Sequence, residues 1–272
     1  MNQAKLPTDL APEADLARFS DRVGFFTLTA KEIKRFWNVL GQTVTAPVVT
    51  ALLYLLVFAQ AMKGRAPVYP GVDYTEFLVP GLVMMTVIQN AFANSSSSLT
   101  QSKIMGNLVF LLMAPLGAWE WFAAYVTAAL VRAALVASAM LAVALLFVPL
   151  PLHAPLALLA MFLLSGASLA VLGLIAGIVA SKFDHLAAFT NFIITPLSFL
   201  SGVFYSVHAL PPFWYAASHF NPFFYMIDGF RYGFFGQADV PIALSLAWAA
   251  GFLVLLSTIC LWMLMTGYKL RR

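Results

Sequence analysis

The sequence predicts an all-α membrane protein: six transmembrane helices, an amphipathic interface helix before them, and a re-entrant helical hairpin before the last span. Three observations predict it. Of 272 residues, 62% are hydrophobic and only 10% are charged, and the mean hydropathy is +0.88. A soluble domain is about 45–50% apolar and about 25% charged. Six stretches are long and apolar enough to cross about 30 Å of hydrocarbon, which takes about 20 residues in a helix. None shows the in/out alternation of a transmembrane strand.

Residues 1–20 carry Pro7 and Pro12 and little apolar content, and are expected to form a flexible cytoplasmic tail. They contain no apolar signal-peptide core, so the N-terminus is expected to stay on the side of synthesis. Residues 21–42 form the interface helix. Phe25, Phe26, Leu28, Ile33, Phe36, Trp37 and Leu40 share one broad face, with Lys31, Lys34 and Arg35 largely opposite. This pattern suits a helix lying among anionic headgroups; the alternative is an amphipathic helix packed on protein.

The remainder, 43–272, holds the spans at about 44–62, 77–97, 118–148, 154–180, 186–205 and 241–266. Lysine and arginine set their orientation. With the N-terminus inside, the cytoplasmic segments collect Lys5, Arg18, Arg22, Lys31, Lys34, Arg35, Lys103, Lys182, Lys269, Arg271 and Arg272. The outer loops hold only Lys63, Arg65 and Arg231. Both termini are therefore expected in the cytoplasm.

Between the second and third spans, Lys103 and Gly106–Asn107 precede LVFLLMAP, which is too short to cross and is stopped by Pro115. Leu108, Leu111 and Leu112 sit at i, i+3, i+4, the spacing of groove anchors. Such a helix needs lipid or a protein partner to cover it. Arg132 is the one charge inside a span. Either it contacts an anionic cargo or a neighbouring helix, or the long third segment leaves it near the cytoplasmic side, where it snorkels; the excess length favours snorkelling.

From Phe199 to Gly236 there are 14 of the chain's 39 aromatic residues. Pro211–Pro212 and Asn221–Pro222 divide the region into two helices too short to span. They read as a hairpin dipping into the outer leaflet, covered by protein or a wet cavity. Asp228 and Arg231, at i, i+3, are expected to pair on one face. An outer gate built from Phe204, Phe213, Trp214, Asn221, Pro222, Asp228 and Arg231 accounts for the two broken helices better than an aromatic belt does.

Chemistry-bearing motifs are missing. No P-loop occurs, no two of His153, His185, His208 and His219 share zinc-helix spacing, and Cys260 is the single cysteine. Intrinsic catalysis, a metal site and a bound cofactor are not expected, nor is nucleic-acid binding.

The run SGVFYSVHALPPFWYAASHFNPFFYMIDGFRY resembles the C-terminal signature of type-2 ABC exporter membrane subunits: a Gly and Phe, then Leu-Pro, Asn-Pro and D-x-x-R. Here these are Gly202, Phe204, Leu210, Pro211, Asn221, Pro222, Asp228 and Arg231. FLVPGLVMMTVIQNAFANSSSS and QTVTAPVVTALLYLLVF resemble the family's second and first spans, and the pattern resembles that of its YadH-like bacterial branch. The resemblance runs from about residue 30 to 267. It implies an inner-membrane permease that homodimerises and binds two copies of a separate ABC ATPase, on which ATP and Mg would sit. Leu108–Met113 would then be the coupling helix docked in the ATPase, and 21–42 the connecting helix. Family coupling segments often carry an acidic residue beside a basic one; this chain has only Lys103. The expected function is ATP-driven export of an amphiphilic or hydrophobic cargo: a lipid, lipid-linked glycan, polysaccharide or drug. The rivals are a non-transporting scaffold or assembly factor, and a secondary carrier, which the scarcity of mid-membrane carboxylates disfavours.

Overall fold

The computed structural model describes residues 13–61 and 68–270. The elements in this range are helices joined by turns and loops. Helix α1 spans Glu13–Trp37, α2 Leu40–Ala61, α3 Tyr74–Ile104, α4 Leu108–Met113, α5 Ala118–Ala144 and α6 Pro155–Val179. Then come α7 (Phe183–Phe189), a π-helical turn (Thr190–Ile194) and α8 (Thr195–Phe199), followed by α9 (Pro212–His219), α10 (Pro222–Phe235) and α11 (Ile242–Thr266). Helix α1 begins at Glu13, so part of the segment expected to be a loose tail is helical; residues 1–12, Lys63, Arg65, Arg271 and Arg272 lie outside the described range.

Among the described residues, five helices are long and apolar enough to cross a membrane: α2, α3, α5, α6 and α11. The fifth predicted span, 186–205, differs from them. Its helical run is seventeen residues, Phe183–Phe199, interrupted by the π-turn. It stops before Tyr205 because Gly202 takes a left-handed φ of +76°, which favours glycine and ends the helix.

Helix α3 is the axis of the bundle. In its apolar window 83% of residues are buried, against 22% for α2 and 17% for α11. Small residues on α6 let it come close. A Cβ built on Gly173 would lie 2.4 Å from the Phe92 carbonyl oxygen, and one on Gly177 would lie 3.1 Å from that of Ser96. Without a hydrophobic drive between helices in lipid, close backbone approach is what dispersion rewards, and glycine permits it. The core then fills with Val83, Met84, Val87, Ile88, Ala129, Ala133, Leu169 and Ala170.

Helices α3 and α5 start alike. The Asp73 amide donates to the Glu76 carboxylate (3.1 Å) and the Gly117 amide to Glu120 Oε2 (2.6 Å), each placing an anion on a helix's positive end.

Helix α1 runs beside α5 and α3 and buries Leu28 and Phe36 against protein, while Phe26 and Trp37 stay exposed. The broad apolar face expected from the sequence is thus divided between protein and the outside. The covered side also holds Glu32, which is fully buried. Its carboxylate accepts from Ser98 Oγ (2.5 Å) and pairs with Lys31 Nζ (3.1 Å) and Arg35 Nε (3.2 Å). Arg35 Nη2 also donates to the Asn94 carbonyl and side-chain oxygens, both at 2.9 Å. A buried carboxylate needs such a full set of partners.

Candidate functional site

Two regions carry the residues singled out from the sequence. They lie at opposite ends of the bundle.

At one end, α4 sits between α3 and α5. Leu108 is buried and Leu111 packs on the same cluster with Leu99 and Trp121. These two predicted anchors therefore point into the bundle. A six-residue helix has to spend its i, i+3 side on its own protein to be held there. Its outward side is Val109, Phe110, Leu112 and Met113, with Phe110 73% and Met113 77% exposed. Of the predicted leucine anchors, only Leu112 remains on the outer side. Lys103 does not reach outward either. Its ammonium donates to the carbonyls of Ile178 and Ala180, satisfying acceptors that the end of α6 leaves open.

At the other end, α10 inserts among α3, α6 and α11, with every side chain from Phe223 to Arg231 buried. Its start follows from Asn221–Pro222. Asn221 Oδ1 accepts the Phe223 amide (3.0 Å), its Nδ2 donates to the Leu197 carbonyl (2.7 Å), and Pro222 takes the first turn, where no amide is needed. Helix α9 stays outside, with Phe213 73% and Trp214 46% exposed and packed edge-on to each other. The two helices meet at His219, whose carbonyl accepts the Tyr225 hydroxyl (3.0 Å) and whose ring lies 5.4 Å from that of Phe224; α10 is buried and α9 largely exposed.

Asp228 and Arg231 do not pair; no ion pair forms between them. Asp228 accepts the amides of Asp239 (2.8 Å) and Val240 (3.1 Å). Asp239 in turn accepts Ser206 Oγ (2.7 Å), the Val207 amide (2.9 Å) and the Tyr69 hydroxyl (3.1 Å). Arg231 instead donates to the Gly202 carbonyl (2.9 Å) and lies 3.7 Å over the Phe77 ring. Loop amides and carbonyls capture each charge before the other charge reaches it. Burial pushes the Asp228 carboxyl up to about 6 and raises the Tyr69 hydroxyl, despite the lowering effect of Arg231 nearby. The D-x-x-R motif thus ties two loops to α10: Asp228 holds the turn before α11, and Arg231 the turn after α8.

Phe204 belongs to a different group. It stacks with Phe199 (5.5 Å between centroids), meets Phe58 (4.4 Å) and touches Tyr54 edge-on (5.7 Å). The predicted outer set is therefore divided into an aromatic cluster at the end of α2, a polar lock on the loops, and the exposed rings of α9. Tyr54, Phe58 and Phe199 were not picked out from the sequence. The α2 pair sits at i, i+4 on one face, a spacing that could have signalled them.

Arg132 lies near the middle of α5 rather than one turn from its end, and its Nη2 donates to Asn90 Oδ1 of α3 (3.3 Å). A neighbouring helix meets it there.

Among the described residues the α4 end has an excess of basic groups, Lys31, Lys34, Arg35, Lys103, Lys182 and Lys269 against Glu32, Glu120 and Asp184, while the α10 end holds Asp73, Glu76, Asp228 and Asp239 with Arg231. The model of the ABC-2 type transporter family matches residues 23–235. The chain belongs to the ABC-2 type transporter family. It is 39% identical over 249 residues to the inner membrane transport permease YadH of Escherichia coli K12, covering 92% of this chain and 97% of that one. The same agreement holds for YadH of Shigella flexneri. Nodulation protein J of Rhizobium leguminosarum bv. trifolii is 26% identical over 201 residues, 70% of this chain and 73% of the other. As an ABC-2 permease, the chain is a multi-pass inner-membrane transport subunit.

Proposed function

We propose that this ABC-2 permease forms a homodimer and exports an amphiphilic or hydrophobic cargo, driven by two copies of a separate P-loop ATPase. The observation that carries the reading is α4. A six-residue helix seated by Leu108 turns Val109, Phe110, Leu112 and Met113 away from the bundle, at its basic end. A basic end belongs in the cytoplasm, where an ATPase is available and where both termini then lie. The apolar quartet suits a helix-in-groove contact. On this reading Phe183–Phe199 makes the fifth of six crossings. Helix α1 serves as the connecting helix, its exposed Phe26 and Trp37 meeting the membrane interface. The rings of Tyr54, Phe58, Phe199 and Phe204 close the outer end of the path, and the loop lock of Asp228 and Arg231 holds that closure in place.

The test co-expresses the permease with a candidate ABC-type P-loop ATPase and purifies the pair. Phe110→Asp should abolish co-purification while leaving the permease monodisperse, because Phe110 touches little of its own chain. Leu108→Ala should instead lower permease stability. Retention of the ATPase by Phe110→Asp removes α4 as its docking element.

A further inference from the structure

A second feature at the basic end is independent of any ATPase. Lys103 and Lys269 line one cavity of about 480 Å³, with Ser181, Gly106, Leu108 and Ile178 among its other walls. No carboxylate lines it, and neither lysine has an ion pair among the described residues. Two like charges thus share one cavity. Lys103 spends donors on α6 carbonyls and has three in all. Lys269 is exposed and held at a left-handed φ of 53° beside Tyr268.

Two cations held together without a counter-charge call for an anion. What lies next to them says which kind. Val179 and Ala180 also form a wall of an apolar slot of about 400 Å³, running along α6 and α7 past Leu172, Ile175, Leu186 and Phe189. A charged pocket and a greasy slot thus share one wall. At the same level, the exposed rings of Trp262 and Tyr268 lie 6.1 Å apart, the kind of side chains that settle at a membrane–water boundary.

We propose that this place binds one anionic phospholipid, its phosphate between Lys103, Lys269 and Ser181 and an acyl chain in the slot between α6 and α7. Basic pockets between helices at a membrane surface recognise such headgroups. Leu108 of α4 lines the headgroup pocket, so an occupied site braces the base of that helix.

The full-length permease, reconstituted in nanodiscs containing phosphatidylglycerol and phosphatidylcholine, is examined by native mass spectrometry for retained lipid. Wild type should keep phosphatidylglycerol selectively. Lys269→Gln alters an exposed side chain with no structural hydrogen bond, and should lower retention about fivefold, the share of one lysine near a charged headgroup. Lys34→Gln, a lysine away from the cavity, should leave it unchanged. Ile175→Trp, which fills the slot, should lower retention of the lipid but not binding of inorganic phosphate. Equal retention of the two lipids overturns the proposal, as does unchanged retention in Lys269→Gln. Phosphate binding with no effect of Ile175→Trp on lipid assigns the site to free phosphate and overturns it too. If Lys269→Gln keeps the lipid and loses the partner ATPase, the lysines read an acidic peptide and the lipid assignment falls.

Discussion

Replacing Gly173 by alanine tests whether the α3–α6 contact organises this bundle. The added Cβ would sit 2.4 Å from the Phe92 carbonyl oxygen, with the Phe92 carbonyl carbon and Cα both at 3.2 Å. Backbone atoms cannot rotate aside as a side chain can. An ordinary contact needs roughly 3.4 Å or more, so the helices must part by about 1 Å along that line. Overpacking of this kind costs about 1–3 kcal/mol, and the parted helices also lose dispersion along their seam. Alanine's better helix propensity returns at most about 1 kcal/mol. Two further glycines grade the effect. At Gly177 the nearest backbone atom lies 3.1 Å away, and at Gly251, on the outward side of α11, nothing lies within 4 Å. The melting midpoint in mild detergent, followed by size-exclusion fluorescence, should fall most for Gly173→Ala, less for Gly177→Ala, and stay level or rise for Gly251→Ala. Three equal midpoints would refute the claim that backbone proximity on α6 holds the bundle together.

Two other predictions concern buried charge. Burial raises the Asp228 carboxyl to about 6, so the folded state holds its proton more tightly than the unfolded chain. The resulting stabilisation is complete below about pH 4 and is lost as pH rises through about 6. Wild-type melting should climb on acidification from pH 7 toward pH 5, and Asp228→Asn should flatten that climb; an unchanged slope in the variant assigns the titration elsewhere. Glu32→Gln keeps the shape and strands Arg35 and Lys31 beside a neutral amide. Because those partners are partly exposed, the expected loss is about 2–3 kcal/mol rather than the larger cost of a wholly buried pair. Thermal melts at low and high salt check it, and a melt indistinguishable from wild type would show that the carboxylate is not anchoring α1.

The long spans were legible because length and hydropathy decide them, and α2, α3, α5, α6 and α11 fall where the apolar runs do. The helix start at Asn221–Pro222 was legible from local chemistry alone. Partners across the bundle were not. Asp228 and Arg231 look like an ion pair at i, i+3, but the loop before α11 offers its amides to Asp228 and the turn after α8 its carbonyls to Arg231 first. Leu108 and Leu111 look like docking anchors, yet one side of so short a helix is needed to hold it. Glu32 was overlooked among the lysines of its polar face. The signal was on α3, where Asn94 and Ser98, at i, i+4 on a buried helix, put polar groups on one face. Such a face calls for a polar neighbour.

The π-turn at Thr190–Ile194 gives the Phe183–Phe199 rod a property the long helices lack. One extra residue in a turn rotates everything beyond it by about 100°. Phe192 and Ile193 consequently face outward while Ile194 is fully covered, and Phe199 arrives aimed at Phe204. Pro196, with no amide to donate, follows at once. The regular i to i−4 ladder is therefore broken in the middle of this rod, between its Phe183 end and the rings of Phe199 and Phe204.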